Sequence, residues 1–234
     1  MNTICRIPID LPSDPHGVAT ALHVERGAAA RLDEVLAASG IAIASRRILL
    51  VVDRNVGSLA GGIAPRLVAA GAEVSAIHLE ATEARKSLAS VELVWQAGLA
   101  HRLGRGGLVV AVGGGIVGDV AGFAAATFLR GVELVQIPTT LLAMVDAAIG
   151  GKTGVNLELP GGGLGKNLAG AFWQPRLTVA DPDALGTLPR RELRAGLAEC
   201  IKHAVLAGEP FFGELESIIE QAAAGDARTL DRVV

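Results

Sequence analysis

An α/β fold is predicted, with an N-terminal parallel sheet over residues 1–185 and the beginning of an α-helical domain over residues 186–234. Two observations predict it. Short apolar runs rich in β-branched residues alternate with alanine-rich segments of helical period, which is βαβ order. Those runs are apolar almost without interruption, which implies a parallel sheet covered on both faces. Such sheets bind ligands at the carboxyl ends of their strands.

The elements follow in chain order. "ILLVV" at 48–52 reads as a strand, 59–70 as a helix, "EVSAIHL" at 73–79 as a strand and 83–103 as a helix. "LVVAV" at 108–112 is a strand, 118–130 a helix, and "ELVQI" at 133–137 and "LTVA" at 177–180 are strands. The glycine-rich stretches "AAIGGKTGVN" and "GGGLGKNLAGAF" read as loops at strand ends. After Pro189 strand signals stop, and "RRELRAGLAECIKHAVLAG" and "PFFGELESIIEQAAAG" read as helices. In the first of these, Leu193, Leu197, Ile201 and Ala204 share one face. The final "ARTLDRVV" has helical period but neither a C-cap glycine nor a following proline, so its element is expected to be cut off.

Composition narrows the partners. A net charge of −3 and a pI near 6.0 give no general attraction to nucleic acid or to anionic membranes. The apolar stretch 108–131 is not read as a membrane span, because three consecutive glycines and Asp119 interrupt it. Cys5 and Cys200 have no metal-ligand spacing and cannot make a disulfide framework, which fits a reducing cytoplasm. Pro8, Asp10, Pro12 and Asp14 break up the start of the chain, so no leader is expected and a cytoplasmic location is.

The chemistry is concentrated at strand ends. Gly113, Gly115 and Gly118 fit G-x-G-x-x-G between a strand and a helix, where backbone N–H groups and the positive helix end can hold a diphosphate. The acidic strand end that normally accompanies this turn downstream is missing, since that strand ends in "IPTT". Asp53, after the strand in "LLVVDRNV", is the upstream candidate for ribose hydroxyls. Glycines needed only for close strand-to-helix packing are the plainer explanation. Lys152 stands beside two glycines, and Lys166 and Asn167 repeat the theme, which suits anionic groups. Glu199 lies away from the apolar face of its helix, as a solvated pair with Lys202 or, with His203 at i, i+4, as part of a metal site.

The ordered series "GGGIVGDVAGFAAATFLRG", "IPTTLLAMVDAAIGGKTGVN", "GKNLAGAFWQP" and "TLPRRELRAGLAECIK" closely resembles the 3-dehydroquinate synthase family, over about residues 45–215. The resemblance implies an α/β NAD-binding domain, a helical domain and an active site in the cleft between them. It implies NAD and a divalent metal, zinc or cobalt, and conversion of 3-deoxy-D-arabino-heptulosonate 7-phosphate to 3-dehydroquinate and phosphate, in the shikimate route to aromatic amino acids. By that resemblance NAD is held by Asp53, Glu83, Lys86, Gly114, Gly115, Asp119, Thr139, Thr140, Thr187 and Leu188, with Lys152 and Lys166 beside it. Asp146, Lys152, Lys166, Asn167 and Lys202 line the substrate site, and Arg130 reaches the phosphate held by the second subunit of a homodimer. Glu199 becomes a metal ligand.

The sequence departs from the family pattern in three places. The two histidine ligands expected on a "GH…H" motif beyond Glu199 are missing, since no histidine follows His203. The chain is therefore expected to be shortened or degenerate, to have an incomplete metal site and not to turn over alone. "NLELPGGGLGKN" is longer than the usual link between "GVN" and "GKN", so Lys166 and Asn167 are expected in a displaced loop. "VDAAIGG" carries alanines where the family commonly has serines. The alternatives are a cyclase acting on sedoheptulose 7-phosphate or glucose 6-phosphate, a glycerol-dehydrogenase-like enzyme, or a non-catalytic NAD-binding module. "GGKTG" and "GKN" favour the carboxylated substrate.

Overall fold

Strand by strand, burial follows the apolar runs. In the computed structural model, which describes residues 4–5 and 20–234, five strands form where the sequence predicts them. They are β3 (Arg47–Asp53), β4 (Glu73–Leu79), β5 (Leu108–Gly113), β6 (Glu133–Pro138) and β9 (Leu177–Ala180). Two further strands, β1 (Ile4–Cys5) at the edge and β2 (Ala21–Val24) beside it, are too short to stand out. The sheet order is β1-β2-β9-β6-β5-β3-β4, parallel throughout except for β1. Pro8, Asp10, Pro12 and Asp14, on which the expectation of no leader rests, lie outside the described residues.

Successive side chains of a strand point to opposite faces, so one apolar run supplies two cores. Ile48, Leu50, Val52, Leu108, Val110 and Val112 pack under α1 (Leu32–Ala38) and α3 (Ile63–Ala69). Leu49, Val51, Val109 and Ala111 pack on the other face under α4 (Leu88–Ala100) and α5 (Gly115–Thr127). The helix expected at 59–70 is split into α2 (Gly57–Ala60) and α3. The one expected at 83–103 begins as a separate 3₁₀ turn at Glu83–Arg85. That expected at 118–130 starts three residues earlier and stops at Thr127, where Leu129, Arg130 and Gly131 take positive φ values of 52°, 69° and 124° and turn the chain out of the helix.

The stretches read as loops between residues 152 and 172 are instead an antiparallel hairpin, β7 (Lys152–Glu158) with β8 (Leu164–Phe172). Its turn needs Gly161, Gly162 and Gly163, all at φ between +95° and +98°, a region open to glycine at little cost. The hairpin lies on α5: a Cβ at Gly122 would sit 2.4 Å from Thr153 Cγ2.

The carboxy-terminal helices are α6 (Arg190–Ala207), α7 (Phe211–Ala223) and α8 (Ala227–Val233). α6 buries Leu193, Leu197, Cys200 and Ala204 against Leu141 and Met144. Ile201, expected on that face, is 43% exposed, and Cys200 takes its place. Burial pushes the Cys200 thiol up to about 11, so it is a packing residue rather than a nucleophile. Among the described residues no helix is long and apolar enough to cross a membrane.

Candidate functional site

The carboxyl ends of β3, β5 and β6 bring Asp53, the glycine turn and Thr139–Thr140 to one edge of the sheet. Asp53 is buried and its Oδ1 accepts from Asn55 N–H at 2.9 Å and from Asn55 Nδ2 at 3.1 Å, which caps the turn after β3. None of Gly113, Gly114 and Gly115 has positive φ. Close approach accounts for the first two: a Cβ on Gly113 would lie 2.8 Å from Val117 Cβ, and one on Gly114 3.0 Å from Thr140 Cγ2, whereas at Gly115 it would meet Ala147 Cβ only at 3.4 Å. Gly118 is packed in the same way over Gln136, 2.8 Å from its Oε1. Packing thus explains Gly113 and Gly118, while Gly114 and Gly115 open α5, whose first-turn N–H groups have no acceptor within the helix.

Beside that helix start lies a connected set of polar side chains. Lys86 is buried, and its ammonium pairs with Asp119 and donates to Asn167 Oδ1 at 2.5 Å. Burial raises the Asp119 carboxyl above its usual range, against the pull of Lys86 and Lys152. Asn156, also buried, donates from Nδ2 to the Glu83 carbonyl oxygen at 3.1 Å and to Glu83 Oε2 at 3.0 Å. Its Oδ1 accepts from Asn167 N–H at 2.9 Å. Lys166 is exposed, with its ammonium 3.5 Å from Glu83 Oε2. Asn167 is therefore anchored rather than displaced on a loop, and Lys166 is fixed in the same strand, contrary to the expectation from the long link.

A cleft of about 460 Å³ opens between α5, the hairpin and the turn at Ala143–Ala147. Asp119, Asp146, Lys152 and Asn167 line it together. The turn at Ala143–Ala147 is a single π-helical turn, a local widening that often accompanies functional sites, and it carries Asp146. Arg130, Thr187 and Leu188 are not in the cleft lining. Arg130 and Thr187 are exposed, and Leu188 packs beside the helical cluster.

On α6, Glu199 pairs with Lys202, as a solvated pair would, yet its side chain is only 19% exposed. Asp146 faces it from the π turn: Asp146, Glu199 and His203 each place a ligand atom within 4.8 Å of the others. The Lys202 ammonium, with help from His203, holds the Glu199 carboxyl below its usual range, and Glu199 raises the Lys202 ammonium in turn. Two carboxylates and an imidazole are a donor set that suits zinc or cobalt. Sequence reasoning weighed Glu199 and His203 together and gave Asp146 to the substrate site; that Asp146 faces them was not visible, because the contact spans elements far apart in the chain. It also passed over Asn156, whose signal was its place in "GVN", one residue from the register shift of the hairpin.

Residues 76–195 match the family model described as 3-dehydroquinate synthase N-terminal. A 3-dehydroquinate synthase of Gloeobacter violaceus is 48% identical over 228 residues, covering 96% of this chain and 59% of its own length. That of Symbiobacterium thermophilum is 50% identical over 191 residues, covering 81% of this chain and 52% of its own. The chain thus spans between half and three fifths of these relatives. Among solved structures, ValA, a 2-epi-5-epi-valiolone synthase from Streptomyces hygroscopicus subsp. jinggangensis with NAD+ and Zn2+ bound, superposes with a TM-score of 0.72 at 32% identity. The match covers 96% of this chain and 62% of that one.

Proposed function

The chain belongs to the 3-dehydroquinate synthase family, and from that premise we propose that it forms the cofactor-binding part of an enzyme converting 3-deoxy-D-arabino-heptulosonate 7-phosphate to 3-dehydroquinate and phosphate. The observation that carries this reading is the convergence of Lys152, Asn167, Asp119 and Asp146 on one cleft beside the start of α5. Two cationic or amide groups and two carboxylates at the carboxyl edge of a parallel sheet suit a substrate that is both a phosphate ester and a polyol acid.

In this reading residues 1–185 are the NAD-binding domain and residues 186–234 the start of the metal and substrate domain. Asp53, Gly114, Gly115, Thr139 and Thr140 face the dinucleotide from the strand ends, with Glu83, Lys86 and Asp119 on its other side and Thr187 and Leu188 at the domain junction. Asp146, Glu199 and His203 are the donors available to a divalent metal. When bound, NAD supplies a reversible hydride acceptor and the metal a Lewis acid. Lys152 and Asn167 bind the phosphate and stabilise the charge that builds as it leaves, aided by Lys166 and by Arg130 of a second copy in a homodimer. Lys86 holds Asp119 ionised and oriented, and Lys202 orients Glu199 while facing the substrate. The partners are small molecules, with neither nucleic acid nor membrane involved, and the setting is cytoplasmic.

The likeness to a 2-epi-5-epi-valiolone synthase supports a second reading, another sugar-phosphate cyclase on the same scaffold, at lower identity than the dehydroquinate synthases. Release of inorganic phosphate from the heptulosonate, by the protein expressed from its full reading frame with NAD and Co2+, tests the choice. Release is expected, and Lys152→Ala should slow it by about a hundredfold or more. NAD binding without phosphate release from this substrate would overturn the synthase reading and leave a different cyclase or an NAD-binding module.

A further inference from the structure

The two strands of the hairpin pair in register from Lys152↔Phe172 to Val155↔Ala169 and resume at Leu157↔Gly165. Lys166, Asn167 and Leu168 therefore stand opposite Asn156 alone, a bulge larger than the usual single extra residue. A bulge leaves ladder groups without strand partners, and here a side chain replaces one of them: Asn156 Oδ1 takes the Asn167 N–H at 2.9 Å. Asn167 has φ of +54°, a backbone that residues other than glycine rarely adopt, and its Oδ1 meets the Lys86 ammonium at 2.5 Å. The Nδ2 of Asn156 donates twice to Glu83, and the Asn156 main-chain N–H donates to the Lys86 carbonyl at 2.8 Å.

We propose that Asn156 is a positioning residue that ties the Glu83–Lys86 turn to the Asn167 bulge, so that the groups facing the dinucleotide and the groups facing the phosphate are held in one geometry. This rests on the NAD and phosphate reading above. Asn156 is 3% exposed, so each of its polar atoms must be matched. Only a side chain of this length with a donor and an acceptor satisfies both ends: aspartate keeps the acceptor and loses the donor, and an aliphatic residue loses both. The bond to Glu83 is charge-assisted, which makes the donor end the stronger of the two. The tie also explains how the long turn at 159–163 is accommodated, since the extra length loops out beyond the bulge while Asn167 stays fixed.

Two variants separate the ends of the amide. Asn156→Asp is isosteric, still accepts from Asn167 N–H and sets a carboxylate against that of Glu83. Asn156→Ala removes both links. NAD affinity is measured by calorimetric titration of each folded chain, and exchange of the Asn167 amide by NMR. In Asn156→Asp, NAD is expected to bind about tenfold more weakly while the Asn167 amide stays protected. In Asn156→Ala the affinity should fall at least as far and the amide should exchange faster. If the alanine variant does not fold, the isosteric aspartate carries the test. Unchanged NAD affinity in a folded Asn156→Asp chain overturns the positioning role while leaving the NAD reading intact. A wild-type chain that fails to bind NAD overturns both.

Discussion

Lys86 carries the charge balance of the cleft. It is buried, and its ammonium is the nearest counter-charge of Asp119, whose carboxyl burial has already raised. A carboxyl raised in the folded state contributes stability that is complete below its ordinary value and is lost as pH rises through the raised one. In Lys86→Met this counter-charge is gone, the carboxyl rises further and its ionisation destabilises the fold at neutral pH, less than a fully buried charge would because Asp119 lines the cleft and still faces Lys152. Melting temperatures of wild type and Lys86→Met are therefore expected to lie far apart at about pH 8 and to approach each other at about pH 4. A gap of equal size at both would mean that Asp119 does not depend on Lys86. At this scale Lys152 stood out by its glycine neighbours, and Asp119 only through the family resemblance. The Lys86–Asp119 pair was not, because nothing in local sequence shows which distant charge a side chain meets.

Among the elements, α5 and the hairpin act as one unit. Gly122 is the point of closest approach, with Thr153 Cγ2 where its Cβ would stand. Gly122→Ala must push β7 away or distort α5, at a cost of about 1–3 kcal/mol. Because Asp119, which faces the dinucleotide in this reading, lies one turn before Gly122 on α5, NAD affinity is expected to fall together with the melting temperature; calorimetric titration and thermal melting on one preparation check this. The central strands were readable because they are apolar on both faces. The hairpin was not, because β8 is largely exposed and its glycines look like loop residues in a linear reading. α6 shows the same limit. Its apolar period placed Leu193, Leu197 and Ala204 in the core but suggested solvent around Glu199, since periodicity describes one helix and says nothing of the π turn packed against it.

Over the whole molecule, chemistry gathers at one end of the sheet. The carboxyl edge holds the glycine turn, Asp53, the Lys86 network and the Asp146–Glu199–His203 donors. At the opposite edge, the shallow hollow around Arg46, Arg47 and Arg102 has Arg46 and Arg47 bonded to Glu133, Glu73 and backbone carbonyls, so those two are held by ion pairs of the fold itself. βαβ order made this polarity legible in the sequence, and the ordered motifs made the family legible. What emerged only from the fold was how residues from α5, the π turn and both strands of the hairpin close on one cleft. The most direct test is a crystal structure of this chain grown with NAD. The diphosphate should lie at Gly114–Gly115 against the first turn of α5, with a ribose beside Asp53 and Lys86 still bonded to Asp119. NAD bound at the arginine edge of the sheet, or a dinucleotide with no contact to the start of α5, would contradict the account.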